Sequence, residues 1–303
     1  MNPANQLDTI YYIKLPEDFS LSRNALRIDP DIPLPVQKKD RDAPGTFDPE
    51  ELTQEQILAG ILTVLAYDKH NEHIDYYRSL LQKARPNIKR ELSEGAILKA
   101  KNEDYDIAEE MFSALRGLDP DDMTTVLNTA LFFDERANSY RRSGLNEDAD
   151  AYDSDALAYY KAPMDAEPAI PDAFFNAGFF YLKQYAYREA KDCFETYIAL
   201  TCDVSDDALG ENGIYKKERA QEIVDNIRNQ NMDDAHFKAA YDFISSGQEE
   251  KGLEEIKQFI KTNQKVWNAW FLLGWGLRKL ERWQDALKAF ETSLACGGGT
   301  NAD

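Results

Sequence analysis

A chain of 303 residues, 43% hydrophobic and 12% aromatic, can bury a continuous core, which excludes disorder as a description of the whole. Its net charge of −20 excludes nucleic acid as the expected partner, because binding it draws on clustered Lys and Arg to displace counterions; a basic protein partner suits the charge, and so does plain solubility. From Met1 to Gln6 no basic stretch leads into an apolar run, no run of about eighteen apolar residues occurs, and Cys193, Cys202 and Cys296 lack paired metal spacing, so the expectation is a cytoplasmic protein without signal peptide or membrane span.

Residues 1–54 carry Pro3, Pro16, Pro30, Pro33, Pro35, Pro44 and Pro49, with short apolar runs at Ile10 to Ile13 and Ile32 to Val36. This predicts extended chain. Tyr11, Tyr12, Ile13 and Leu34 favour a segment laid along the surface of the downstream chain.

From Glu55 to residue 204 the pattern becomes paired helices. A first hairpin carries Leu62, Leu65, Ile74 and Pro86, with Arg78 where later units have an aromatic. A second, from Lys89, carries Leu92, Ala96, Ala108, Phe112 and Pro120, with Lys99 at another aromatic position. Pro86 and Pro120 are 34 residues apart, one full period. The third, from Met123, closes at Pro168, 48 residues after Pro120, so it is 14 longer. Seven extra residues add about two turns to a helix, so the excess lengthens both helices and projects the hairpin roughly 10 Å, with an acidic tip at Asn146 to Asp155. Between Asn102 and Asp172 there are 18 acidic and 5 basic residues. Pro163 predicts a kink or an early stop in the second long helix. The fourth hairpin, from Pro171, carries Phe174, Ala177, Gly178, Tyr181, Ala190 and Phe194.

Residues 205–232 fall out of phase, and Ile214, Ala220, Ile223, Val224 and Ile227 predict one inserted helix with a single apolar face. Two more hairpins occupy 233–303. The fifth, from Asp233, holds Ala239, Ala240, Phe243, Gly252 and Ile256; the sixth, from 266–267, holds Trp270, Leu273, Gly274, Leu277, Ala286 and Phe290. Gly297 to Gly299 stop the last helix, and Asn301 would open another unit, which suggests further repeats in a larger parent protein.

Taken together, these residues resemble the tetratricopeptide repeat, whose pattern is Trp, Leu, Gly and Tyr on one helix, then Ala, Phe and Pro on the next. Leu277 replaces the Tyr and Gly298 the Pro. The resemblance covers about four fifths of the chain and implies an all-α, right-handed α-solenoid of about six helical hairpins. The small residues, Gly274 and Ala286 for instance, are where two antiparallel helices cross closely.

No phosphate loop, nucleophile elbow or Cys-x-x-Cys pair is present, so no catalytic residue, cofactor or metal is expected, and the chain does not read as an enzyme. Asp68, His70, Glu72, His73 and Asp75 stand close together, but on the turn of the first hairpin, where solvated polar residues are ordinary. His236 takes a packing position, and Cys193 and Cys202 read as small packing residues.

The resemblance also implies a concave groove lined by the first helices of successive hairpins. Its positions fall here on Phe175, Phe179 and Leu182, on Phe237, Tyr241 and Ile244, and on Phe271, Trp275 and Arg278; Asn128 and Asn176 share a position where an amide could bond a peptide backbone. The Lys, Asn and Arg clamp with which some relatives hold acidic chaperone tails is missing. The reading is a non-enzymatic scaffold or adaptor that takes an apolar or amphipathic protein segment, a basic one being suited to the net charge. Self-association through the C-terminal end and regulation of an enzyme encoded beyond residue 303 are its alternatives. In that groove Gly178, Ala240 and Gly274 should face the helix crossing while Phe179, Tyr241 and Trp275 face the channel.

Overall fold

In the computed structural model, residues 6–15, 28–38, 52–229 and 235–298 are described. Expectations at Met1, Pro3, Pro16, Pro44, Pro49, Asp233, Gly299 and Asn301 lie outside them. Two strands come first, β1 (Ile10–Ile13) and β2 (Leu34–Gln37). Six helices follow: α1 (Gln54–Tyr67), α2 (Ile74–Ala84), α3 (Ile88–Lys101), α4 (Tyr105–Leu118), α5 (Met123–Arg142) and α6 (Asn146–Asp165). Seven more complete the described chain: α7 (Pro171–Lys183), α8 (Tyr187–Leu200), α9 (Asp206–Asn229), α10 (Ala235–Ser245), α11 (Glu249–Thr262), α12 (Trp267–Lys279) and α13 (Trp283–Ala295). The fold is an all-α solenoid in which helices close together in sequence pack on one another. It divides into two compact units, with Glu167 the last residue of the first and Pro168 the first of the second.

Five helix pairs make close hairpins: α3 with α4, α5 with α6, α7 with α8, α10 with α11 and α12 with α13. Each has a small residue on both helices where they cross: Ala96 and Ala108, Ala130 and Ala156, Gly178 and Ala190, Ala240 and Gly252, Gly274 and Ala286. All ten are buried. A Cβ on Gly178 would lie 2.6 Å from the tip of the Phe194 ring, and one on Gly274 2.7 Å from Phe290. Approach at that range leaves no room for a Cβ, so only Gly fits at these two positions.

The turns within these five hairpins are also alike. Glu103, Gly144, Tyr185, Gly247 and Glu281 each take a positive φ, between 55° and 80°. The next residue's N–H then donates back to a carbonyl in the last helical turn: Asp104 to Lys99, Leu145 to Tyr140, Ala186 to Tyr181, Gln248 to Phe243 and Arg282 to Leu277, at 2.8–3.0 Å. This closes the orphan carbonyls of each first helix in a Schellman arrangement.

The first hairpin departs from its expected form. It carries Leu62 and Ile74 where the others have small residues, so α1 and α2 cannot cross closely. Instead α1 packs mainly against β2 and α4. Gly60 admits the Pro35 carbonyl and Gly117 admits the Leu65 backbone, each where a Cβ would overlap it. The N-terminal segment is therefore laid on α1 as an antiparallel ribbon, with Ile10 opposite Gln37 and Leu34 and Val36 wholly buried. Tyr77 donates its hydroxyl to the Pro33 carbonyl at 2.6 Å. Arg78, out of place as a core aromatic, donates from Nε to the Gly117 carbonyl at 2.7 Å, at the C-terminal end of α4.

The third hairpin has helices of 20 residues each, against 14 in α3 and α4, the two-turn extension expected from the closing prolines. Pro163 lies inside α6, two residues before its end, and the helix runs through it to its full 20 residues, so the expected early stop does not occur. Near the tip Arg141 holds Asp150 at 2.8 Å and Asp153 at 2.7 Å, so part of the acidity is neutralised inside the hairpin. Across the α4–α5 junction the buried Arg136 pairs with Asp106 at 3.1 Å and Glu109 at 2.8 Å, and its guanidinium lies 4.3 Å from the Tyr152 ring centroid and 5.6 Å from those of Tyr105 and Tyr140.

In the second unit a continuous core runs through α7 to α13. The inserted helix α9 bends at Gly210 and buries Ala220, Ile223, Val224 and Ile227 against it, the face read from spacing. Lys216 reaches from α9 to Asp172 at 2.9 Å and Arg228 to Glu195 at 2.5 Å.

The crossings and the buried arginine set two expectations for stability. Replacing Gly274 or Gly178 by Leu should overpack the crossing and cost about 1–3 kcal/mol in chemical denaturation, whereas exposed positions on the same helices should tolerate Leu. Replacing Arg136 by Ala should cost about 2–3 kcal/mol, and Arg136→Lys most of that, since an ammonium cannot fork to both carboxylates while stacking on tyrosine rings.

Candidate functional site

The groove residues expected from sequence divide into two groups. Phe237 is wholly buried, its ring 5.4 Å from Tyr187 and 5.2 Å from Phe259, so it is a core residue and not a groove ring. Phe175 is buried too, against Phe179, Phe194 and Tyr197 at 5.1–5.9 Å. Ile244 is wholly buried. The reason is common to these three: short helices cross at an angle, and the position nearest the neighbouring second helix is closed over by it.

Phe179, Tyr241 and Trp275 remain half-buried, beside the fully packed Gly178, Ala240 and Gly274. Tyr241 and Trp275 lie with ring centroids 5.8 Å apart. Phe179 meets Phe175 and Phe194 at 5.2 Å. The ring that stacks on the far side of Tyr241 is Tyr185, at 4.8 Å and nearly parallel. Sequence spacing missed Tyr185 because it stands in the turn between α7 and α8, outside both helices. The left-handed backbone of that turn, φ 55°, aims its side chain. Burial raises its hydroxyl pKa, so the ring stays neutral at ordinary pH.

Lysines flank the rings. The Lys238 ammonium lies 5.6 Å from the Tyr241 centroid and pairs with Asp242 at 2.8 Å. Lys279 lies 5.1 Å from the Trp275 centroid and donates to the Ile244 carbonyl at 2.7 Å. Lys216 stands 5.6 Å from Phe175. Each of these lysines is also paired with a carboxylate, Lys279 with Glu249 at 3.6 Å and Lys216 with Asp172, so the row Tyr185, Tyr241, Trp275 is an aromatic strip with a charge-balanced rim, suited to apolar or aromatic side chains.

The other expected positions serve less well. Asn176 donates its amide to the Asp172 carbonyl of its own helix at 2.7 Å. Asn128 is half-buried on α5 of the first unit. Phe271 and Arg278 are exposed on α12, and Phe271 touches Phe290 at 5.6 Å. His236 is not packed between helices: it is exposed and its Nδ1 meets Glu255 at 2.6 Å. Cys193 is buried, which pushes its thiol up to about 12 and removes it as a nucleophile, while Cys202 is exposed and not a packing residue. His70 is exposed on the α1–α2 turn, and among the described residues no cluster of His, Cys, Asp and Glu has metal-binding geometry. No helix among them is long and apolar enough to cross a membrane.

No family model matches this chain, and no curated protein matches it. Among solved structures it is similar to the crystal structure of MamA protein, at 17% identity and a TM-score of 0.31, with 70% of this chain and 92% of that chain covered. A likeness of that degree carries no functional weight, and the repeat character rests on the helices themselves.

Core and strip should separate in unfolding experiments. Phe237→Ala should cost about 3–5 kcal/mol by urea titration, as buried aromatics do, and Trp275→Ala less than half of that.

Proposed function

We propose that this chain is a non-enzymatic interaction scaffold of the tetratricopeptide-repeat type, and that its second unit holds an apolar or amphipathic segment of a partner protein along Tyr185, Tyr241 and Trp275. One observation carries the reading: three rings contributed by a turn and two successive first helices lie in contact, half-open to solvent, while their sequence neighbours are closed into the core. Aromatic side chains so placed are the usual anchors of protein interfaces, offering large area at little conformational cost. An extended strand or a helix could lie there, and both are known modes of groove recognition.

The test compares the wild-type chain with Trp275→Ala and Tyr241→Ala as immobilised baits, followed by calorimetry on the partner recovered. Each substitution should weaken binding by about 2 kcal/mol or more, near thirtyfold, while each variant still melts well above Phe237→Ala. Identical capture by all three baits would show that the strip is ordinary packing.

A further inference from the structure

Along the outer face of α13, Trp283, Leu287 and Leu294 are 61%, 55% and 62% exposed, with the half-buried Phe290 between them. Their spacing of four, three and four residues makes one stripe of a helix. The same face one repeat earlier is closed. Leu253 and Ile260 on α11 stand 34 residues before Leu287 and Leu294, and are 1% and 8% exposed.

What closes that earlier face is α12. A Cβ on its Gly276 would lie 2.9 Å from both Leu253 and Ile244, so its backbone rests on the two helices of the preceding hairpin. On α12 itself the corresponding positions are uncovered: Phe271 is 40% exposed where Phe237 is 0%. Arg278 repeats the buried Ile244, yet it is exposed and has no carboxylate partner among the described residues. The turn register agrees. Tyr187, two residues after the turn residue Tyr185, is buried against Phe237, whereas Trp283, two residues after Glu281, lies open.

We infer that the outer face of α12 and α13 is a docking surface for an amphipathic helix of a partner protein, lying there as α12 lies on α11. Such a helix has a small residue at its centre opposite Leu287, apolar residues along the stripe, and a carboxylate opposite Arg278. A second copy of this chain fits less well. The stripe of four side chains on α13, even with Phe271 and Arg278 of α12 added, falls short of the roughly 800 Å² per partner of a stable dimer. Two chains of charge −20 also repel. This face meets the Tyr185, Tyr241 and Trp275 strip only at Trp275, and its α13 stripe lies outside the strip.

The probe is a hydrocarbon-stapled, fluorescein-labelled peptide of residues 266–280, carrying K279E to meet Arg278 and shown to be helical by circular dichroism. Fluorescence anisotropy with the full chain should give saturable binding, weakened about tenfold or more by Leu287→Glu, a change that leaves the melting temperature unaltered because the site is exposed. Arg278→Glu should abolish preference for the K279E peptide and transfer it to the peptide with Lys279. Tyr185→Ala, at the end of the strip remote from α13, should leave peptide binding unchanged, which separates this site from the strip. A helical peptide that does not bind, or binding indifferent to Leu287→Glu, would overturn the inference. So would a doubled mass of the free chain by sedimentation velocity that Leu287→Glu returns to monomer, since the face would then belong to a second copy.

Discussion

Two antiparallel helices can approach closely only if the residues at their crossing are small, and in five hairpins of this chain they are. Ala96 with Ala108, Ala130 with Ala156, Gly178 with Ala190, Ala240 with Gly252 and Gly274 with Ala286 set the distance between helices, and hence where every other side chain points. Phe194 and Phe290 close over the glycines at 2.6–2.7 Å from where a Cβ would stand, so the gap is filled by a ring from the partner helix. Where the rule is broken, at Leu62 and Ile74, the hairpin does not close and α1 turns to β2 and α4 instead. The N-terminal ribbon is thus a substitute partner for a helix that its own neighbour cannot pack.

The turns depend on the same constraint. A close hairpin needs a short reversal, which the Schellman arrangement provides at the expense of one residue in the left-handed region. Gly144 and Gly247 adopt it freely, while Glu103, Tyr185 and Glu281 do so at about 1 kcal/mol each. At Tyr185 the strain has a use. The ring it aims stacks on Tyr241 and extends by one member the strip on which partner binding is proposed.

Charge is handled locally within this acidic chain. Arg136 is buried because two carboxylates and three tyrosine rings surround it, joining α4, α5 and α6. Arg141 draws Asp150 and Asp153 back onto the long hairpin, leaving Glu147 and Asp148 near its tip exposed. In the second unit Lys216, Lys238 and Lys279 likewise combine a ring with a carboxylate, Asp172, Asp242 and Glu249 respectively.

By itself the sequence determined the all-α repeat, the helix starts, the two-turn extension of the third hairpin and the apolar face of the inserted helix. These follow from periodicity, small residues at fixed spacing and closing prolines, all of which are local. It also determined that Gly178, Ala240 and Gly274 lie at crossings. Tertiary structure alone decided which aromatics at equivalent repeat positions are buried. Phe237 and Phe271 share one position, yet one is core and the other open, because Tyr187 of α8 and Phe259 of α11 close over the first, while among the described residues the second has a ring contact with Phe290 alone. The position of Tyr185 and the exposure of His236 and Cys202 were equally out of reach of spacing, as was the choice of α1 as the seat of an N-terminal segment already expected to lie along the downstream chain. Periodicity reports which face of a helix is apolar, and exposure depends on what the rest of the chain lays against that face.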